Sequence, residues 1–259
     1  AVAVTAALRL GAVATGLNTR LGPNEITGIL NRSGAALVVS DRLDAVGALI
    51  EDLEPGRRPV LLTAGQARAA SLRVASTGGS AAAEVPVGTG APIQRTDPAV
   101  IIWTSGTTGA PKGAWYDHAG LEAAVRASGA MSAPFDRRLL ATPFAHAGYL
   151  AKIWDQIAWG QTFVVPPVPW RAAGTVELIA RERVTVASAV PTQWSKIVEQ
   201  PAEALVFPEL RLATSATAPT PPALVEAVRQ ALGVPLVVRY AMTESPTISG
   251  TDPDDPAEV

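Results

Sequence analysis

Cysteine is absent from the 259 residues, which excludes disulfides, zinc–thiolate sites and a cysteine nucleophile and weakly favours a reducing compartment. A basic excess is lacking too: 21 Lys and Arg stand against 23 Asp and Glu, a net charge of −2, with no visible basic patch. Nucleic acid and acidic membrane surfaces, which attract proteins through such an excess, are therefore not expected as partners. No run approaches the roughly 18 apolar residues of a membrane span. Ala1–Leu10 also lacks the basic region and cleavage pattern of a signal peptide. A cytoplasmic location is the expectation. The chain has no initiator methionine and opens as if inside an apolar helix, which suggests a piece of a longer protein. Lysine is scarce, confined to Lys112, Lys152 and Lys196.

What is present is 48% hydrophobic and 17% charged residues, enough for a sizeable core. At roughly 100–200 residues per domain, one large domain or two closely packed halves are expected. Helical spacing at Pro23–Arg32 ends at Gly34, and strand-like runs stand at Ala12–Leu17, Ala36–Ser40 and Arg58–Leu62 around a helix at about Arg42–Leu53. Ser76–Pro98 is rich in Gly, Ser, Thr, Ala and Pro and reads as a surface linker leading to a strand at Val100–Trp103. Beyond it the alternation resumes. Helices are expected near Leu121–Gly129, Tyr149–Trp159, Thr175–Arg183, after Pro191, and at Pro221–Leu232. Strands are expected at Arg138–Thr142, Gln161–Val165, Thr185–Ala189, Leu210–Ala213 and Val234–Arg239. Parallel strands need crossovers, and helices usually supply them, so the fold class is α/β: two βα-repeat halves with largely parallel sheets flanked by helices. The halves are expected at 1–132 and 133–259.

Directly after the strand at Val100–Trp103 stands Thr104-Ser105-Gly106-Thr107-Thr108-Gly109-Ala110-Pro111-Lys112-Gly113. Three glycines let the backbone turn successive N–H groups into one concavity, and hydroxyls and an ammonium add donors around an anion. A loop of this kind suits phosphate; a flexible surface loop is the plain alternative. The order of residues fails the P-loop pattern, which needs four residues between its glycines and then Gly-Lys-Ser/Thr. The ten residues instead closely resemble the signature loop of the adenylate-forming superfamily, which includes acyl-CoA synthetases, firefly luciferase and peptide-synthetase adenylation domains. The resemblance gives Thr104 to Gly109 and Lys112 the grip on the pyrophosphate end of ATP.

Tyr240-Ala241-Met242-Thr243-Glu244 is similar to the same family's Tyr-Gly-x-Thr-Glu. The resemblance implies Tyr240 beside adenine, Thr243 at the α-phosphate and Glu244 holding magnesium. A carboxylate is a hard ligand fit for Mg²⁺, although an acid after a strand is by itself more often plain surface. Ala241 departs from the glycine, adding a methyl where backbone approaches nucleotide. Thr214-Ser215-Ala216-Thr217-Ala218-Pro219 resembles the family's small-residue segment against adenine, so Ser215, Ala216, Thr217, Ala218 and Pro219 join the nucleotide set. Thr142-Pro143-Phe144-Ala145-His146-Ala147-Gly148 is similar to the segment whose histidine borders the acyl site. His146 and Gly148, together with Trp194 on the helix after Pro191, are thereby substrate-binding candidates, although a lone histidine is as often structural. Ala145 stands where amino-acid-selecting members carry an aspartate, so an acid without an amine is expected.

The resemblance implies activation of a fatty or aryl carboxylic acid by ATP and Mg²⁺, then transfer to a thiol such as coenzyme A, and it allows a homodimer. It covers the central part of a family member, leaving out the later ribose-binding Asp and the C-terminal domain with the catalytic lysine. A non-catalytic nucleotide-binding or interaction module remains the alternative, and an unrelated NTP hydrolase is disfavoured by the failed P-loop pattern.

Overall fold

The computed structural model describes residues 2–18, 20–66, 92–104, 111–140 and 142–258. Most of the expected linker and Ser105–Gly109 of the phosphate loop lie outside the described residues. The chain divides into two compact units, Ala1–Ala114 and Trp115–Val259. The division falls earlier than the boundary at 132 that the sequence suggests, because the helix following the Lys112 motif packs within the second unit.

The first unit contains α1 (Val2–Arg9), β1 (Ala14–Thr15), α2 (Pro23–Ser33), β2 (Leu37–Val39), α3 (Leu43–Glu51), β3 (Val60–Leu62) and β4 (Pro98–Thr104). β2 and β3 pair in parallel, with Leu30, Val38, Ile50 and Leu53 as the core beside them. α2 starts on Pro23, whose missing N–H is no loss at a helix start, and stops at Gly34 in the left-handed conformation, φ 57°. In a second sheet β1 runs parallel to β4, and β4 neighbours β5 (Lys112–Asp117), which continues into the second unit. Trp103 Nε1 donates to Thr15 Oγ1 at 2.8 Å, and Thr15 Oγ1 donates to the Ile101 carbonyl at 2.8 Å.

The second unit is built on a six-stranded sheet of order β11-β10-β9-β8-β6-β7. Its strands are β6 (Arg137–Leu139), β7 (Thr162–Val164), β8 (Val186–Ala189), β9 (Leu212–Ala216), β10 (Leu236–Met242) and β11 (Ser245–Gly250). All neighbours are parallel except β10 and β11. Period-two alternation sorts the sheet's two faces. Ala187, Ala213 and Leu236 pack into the larger core with side chains of α7 (Ala172–Arg181), α8 (Pro191–Val198) and α9 (Pro222–Leu232). Val186, Leu212 and Val237 point the other way and meet Met131. α4 (His118–Arg126) packs on α6 (Ile153–Trp159). α4 is capped by Asp117, which accepts the Gly120 N–H at 2.6 Å.

Three local expectations change. The single helix expected at Tyr149–Trp159 is two, α5 (Ala147–Leu150) and α6, with Lys152 at the junction. Lys112 and Gly113 begin a strand rather than ending a loop. Gly113 is required there, because a Cβ would lie 2.9 Å from Ile101 Cγ2 and 3.3 Å from the Trp103 ring on β4. β11 has no counterpart among the expected strands; at the sheet edge it tolerates Pro246, since one side needs no ladder donor.

Asp136, 3% exposed at the entry to β6, ties β6 to the loops before β8 and β9. It accepts from Ala133 N at 2.7 Å, Thr185 Oγ1 at 2.7 Å and Arg211 Nε at 3.0 Å. Burial would raise its pKa, but the bonds from Arg211, Thr185 and Ala133 outweigh it and hold the carboxyl below its usual value. Asp136→Asn should cost about 3 kcal/mol, the low end for breaking a buried pair, because Arg211 remains 36% exposed. The stabilisation is present above the unfolded carboxylate value, 3.8, and is lost as pH falls through the lower folded value. Urea titrations of both forms at neutral pH and at a series of pH values below 3.8 check the cost and its decline with falling pH.

Candidate active site

In a parallel sheet the strands' carboxyl ends lie along one edge, and ligands bind outside that edge. A cavity of about 340 Å³ lies there in the second unit, reached by the ends of β6, β8, β9 and β10. Three of the segments singled out in the sequence converge on it: His146 and Gly148, Ala216 and Thr217, and Ala241 to Thr243.

His146 caps α5, its Nδ1 accepting the Gly148 N–H at 3.0 Å, which leaves the ring proton to Nε2 in the neutral form. Burial pushes its pKa below the ordinary 6.5. Gly148 is fixed by crowding, since a Cβ would approach Thr142 Oγ1 to 3.2 Å and His146 Nδ1 to 3.3 Å. Thr217 follows β9 with φ +76°, a region a β-branched residue enters only under constraint, and it faces the cavity. Below it Ser215 is fully buried, with its Oγ 2.7 Å from Thr220 Oγ1, so Ser215 supports the segment rather than lining the cavity. Ala218 and Pro219 are exposed beyond it.

The Tyr-Ala-Met-Thr-Glu segment sits partly in strand. Tyr240 to Met242 belong to β10, the pairing with β11 shifts register between Tyr240 and Met242, and Thr243–Glu244 form the turn. Bulges of this kind re-aim side chains beside sites. Ala241 lines the cavity and is not among the described residues with positive φ, so alanine fits without backbone strain. Tyr116 OH donates to the Thr243 carbonyl and pins the turn; burial and the nearby Glu244 carboxylate push the Tyr116 phenol up to about 12. Glu244 is exposed, and Tyr240 is 64% exposed and outside the cavity wall.

Trp194 is a correction. It is fully buried in the larger core and donates its indole N–H to the Thr214 carbonyl at 3.0 Å, so it stands behind β9 and outside the cavity wall. In the first unit, Thr104 ends β4 and Lys112 opens β5, side by side in the sheet: Thr104 Oγ1 donates to the Lys112 carbonyl at 3.4 Å. Arg32 donates to the Pro111 carbonyl. The Lys112 side chain is exposed.

Sequence reasoning missed the charged wall: Arg138, Lys152, Asp155 and Arg239 all line the cavity. The available signal was charge inside segments read as buried, above all Arg138 in an apolar strand.

The fold is the α/β architecture of the adenylate-forming type. The chain belongs to the AMP-binding enzyme family, which matches residues 1–259. It is similar to the long-chain-fatty-acid–CoA ligase FadD13 of Mycobacterium tuberculosis, 32% identical over 244 residues, 92% of this chain and 46% of that protein. The chain thus spans a little under half of that relative's length. It is also similar to an indoleacetate–CoA ligase of Aromatoleum aromaticum, 34% identical over 152 residues, 57% of this chain and 29% of the relative. Among solved structures, the inhibitor-bound N-terminal domain of FACL13 from Mycobacterium tuberculosis superposes with a TM-score of 0.76 at 31% identity, covering 93% of this chain and 59% of that one.

His146 offers a pH test. A histidine with a lowered folded pKa stabilises the fold above its unfolded value, near 6.5, and the contribution fades as pH falls through the lower folded value. Melting temperatures between pH 7.5 and 5 should fall further for the wild type than for His146→Asn, and an NMR titration should place the His146 midpoint below 6.5.

Proposed function

We propose that the chain carries the nucleotide and acid sites of an ATP-dependent acid–thiol ligase. The single observation that carries the reading is the convergence of the 146–148, 216–217 and 241–243 segments on one cavity at the carboxyl edge of the sheet. In the first step a carboxylate oxygen attacks the α-phosphorus of ATP. An acyl–O–P bond forms, the bond from the α-phosphorus to the oxygen it shares with the β-phosphorus breaks, and pyrophosphate leaves with that oxygen and the electron pair. In the second a thiolate, such as that of coenzyme A, attacks the acyl carbon and AMP leaves with the pair of the broken C–O bond.

In this reading the residues bind and orient. The wall at Ala216 and Ala241 admits a flat ring, since short side chains let backbone approach it. The Thr243 hydroxyl donates to the α-phosphate, with its turn held by Tyr116. Lys112 and the 104–109 segment neutralise the pyrophosphate as it leaves, the electrostatic work that dominates phosphoryl transfer. His146 and Gly148 border the acid. Mg²⁺, when bound, neutralises phosphate charge. In this reading Glu244, exposed at the turn after β10, would hold the ion together with the substrate's own phosphates. The acids named for the relatives, a long-chain fatty acid and indoleacetate, support a fatty or aryl acid. The reading includes a cytoplasmic enzyme, and no described helix is long and apolar enough to cross a membrane. Assembly as a homodimer belongs to the same proposal and is read by sedimentation.

The test is acid-dependent ATP–pyrophosphate exchange by the natural protein that carries this chain. A ligase exchanges only with its acid, a hydrolase releases phosphate without it, and a binding module does neither. Lys112→Ala should lower exchange roughly 10- to 100-fold, the loss of one charge-assisted hydrogen bond of about 1.5–3 kcal/mol. Unchanged kinetics would remove Lys112 from the reaction. Glu244→Gln keeps size and loses charge, so the magnesium concentration for half-maximal exchange should rise while the far-ultraviolet spectrum stays unchanged. An unaltered magnesium dependence would overturn the metal assignment.

A further inference from the structure

Arg239, on β10, lines the cavity, and among the described residues it makes no hydrogen bond or ion pair. The arginines around it are committed: Arg211 to Asp136, Arg138 to the Met131 carbonyl and Arg229 to the Leu236 carbonyl. Lys152 in the same wall is engaged as well, and Asp155 Oδ2 accepts from Ser132 Oγ at 2.6 Å. The Arg239 charge is felt inside the cavity: burial, then Arg138 and Arg239, push the Lys152 ammonium below its ordinary value, with Asp155 opposing them.

The sheet makes room for this side chain. Arg239 pairs with Gly250 across the β10–β11 ladder. A Cβ on Gly250 would stand 2.6 Å from Arg239 Cδ, 2.9 Å from its Nη1 and 2.8 Å from the Val238 carbonyl oxygen. Gly250 is not among the glycines with positive φ, so space rather than backbone conformation calls for glycine there. Arg239 also shares its strand with the nucleotide motif. Alternate residues of a strand share one face. Arg239, Ala241 and Thr243 alternate in this way and all three line the cavity, the register shift beyond Tyr240 notwithstanding.

We infer that Arg239 is a substrate-holding residue of the reaction: its guanidinium takes an oxyanion at the junction where the acyl–O–P bond forms, contributed by the acid's reacting carboxylate or by the α-phosphate. The inference rests on the ligase reading above for the substrates and on the seat over Gly250 for the cation. A guanidinium offers paired N–H donors that match two oxygens of either group. Bringing a carboxylate up to a phosphate sets two negative charges together, and a fixed cation beside them lowers that cost. No carboxylate of the chain has to be displaced first, because Arg239 is paired with none among the described residues.

The experiment measures ATP–pyrophosphate exchange with a series of fatty and aryl acids, using the natural protein that carries this chain and its Arg239→Met, Arg239→Lys and Gly250→Ala forms. Arg239→Met should raise the KM for one substrate roughly 10- to 100-fold, the loss of a charge-assisted hydrogen bond, while the urea midpoint stays as in the wild type. A rise for the acid alone assigns the oxyanion to its carboxylate, and a rise for ATP alone assigns it to the α-phosphate. Arg239→Lys should recover part of the loss, since it restores the charge without the paired donors. Gly250→Ala should raise the same KM. Added to Arg239→Met it should cost less than about 3-fold more, because the side chain it displaces is already gone. Both KM values and kcat of Arg239→Met within about 3-fold of the wild type overturn the inference. So does a loss confined to kcat and the urea midpoint, which would make Arg239 structural. If Gly250→Ala does not fold, the two Arg239 variants decide. Calorimetry with AMP and adenosine keeps the two readings apart. No exchange with any acid, together with a preference for AMP over adenosine that Arg239→Met abolishes, overturns the ligase and keeps the anion site. Exchange that Arg239→Met leaves unaltered keeps the ligase and overturns the anion site.

Discussion

A parallel sheet covered on both faces leaves one place for chemistry, the edge where its strands end. β8, β9 and β10 are buried among apolar side chains on each side, with Val186 and Leu212 facing one way and Ala187 and Ala213 the other. Polar groups placed mid-strand would have to be satisfied inside that packing. At the carboxyl ends the strands release the chain into loops, and there the threonines, the histidine and the small residues of the cavity collect. The convergence of segments 146–148, 216–217 and 241–243, distant in sequence, follows from the parallel order of the strands that carry them.

The edge is also where backbone geometry departs from the regular. Thr217 holds a left-handed conformation after β9, β10 changes register with β11 around Ala241, and the Thr243 carbonyl is tied to Tyr116. Each departure aims a residue that a regular strand would point into the sheet's neighbours. Irregularity of this kind persists only where surroundings over-determine it. The buried Ser215–Thr220 contact beneath Thr217 and the short antiparallel pairing with β11 supply that support.

Most of the fold was legible because apolar periodicity and stop residues agree with it: Gly34, Gly160 and Gly233 all take positive φ at helix ends. The two strands that were not legible, β5 and β11, take their stability from a neighbour rather than from their own residues. Gly113 lies against Ile101 and Trp103, and among the described residues Ser245–Gly250 pairs only with β10. The site was legible where small residues and hydroxyls follow a strand. Trp194 was misplaced because a helix after a Val-Pro turn says which element a residue occupies, but only packing says which face. Its side chain points to the core and its N–H to Thr214.

Charge shows the same limit from the other side. Arg138 in β6 and Lys152 at the α5–α6 junction look, in one dimension, like a strand that tolerates a polar end and a helix with a solvated face. Only the fold brings them beside Asp155 and Arg239 in one cavity. Arg138 lies within β6, and Lys152 is the N-cap of α6 without a side-chain capping bond, so neither charge is what holds the strand or starts the helix. Retaining three cations in the wall therefore sets what the cavity can hold more than it sets how the chain folds. Burial works against the charge on both Arg138 and Lys152, and the Asp155 carboxylate in the same wall works in its favour.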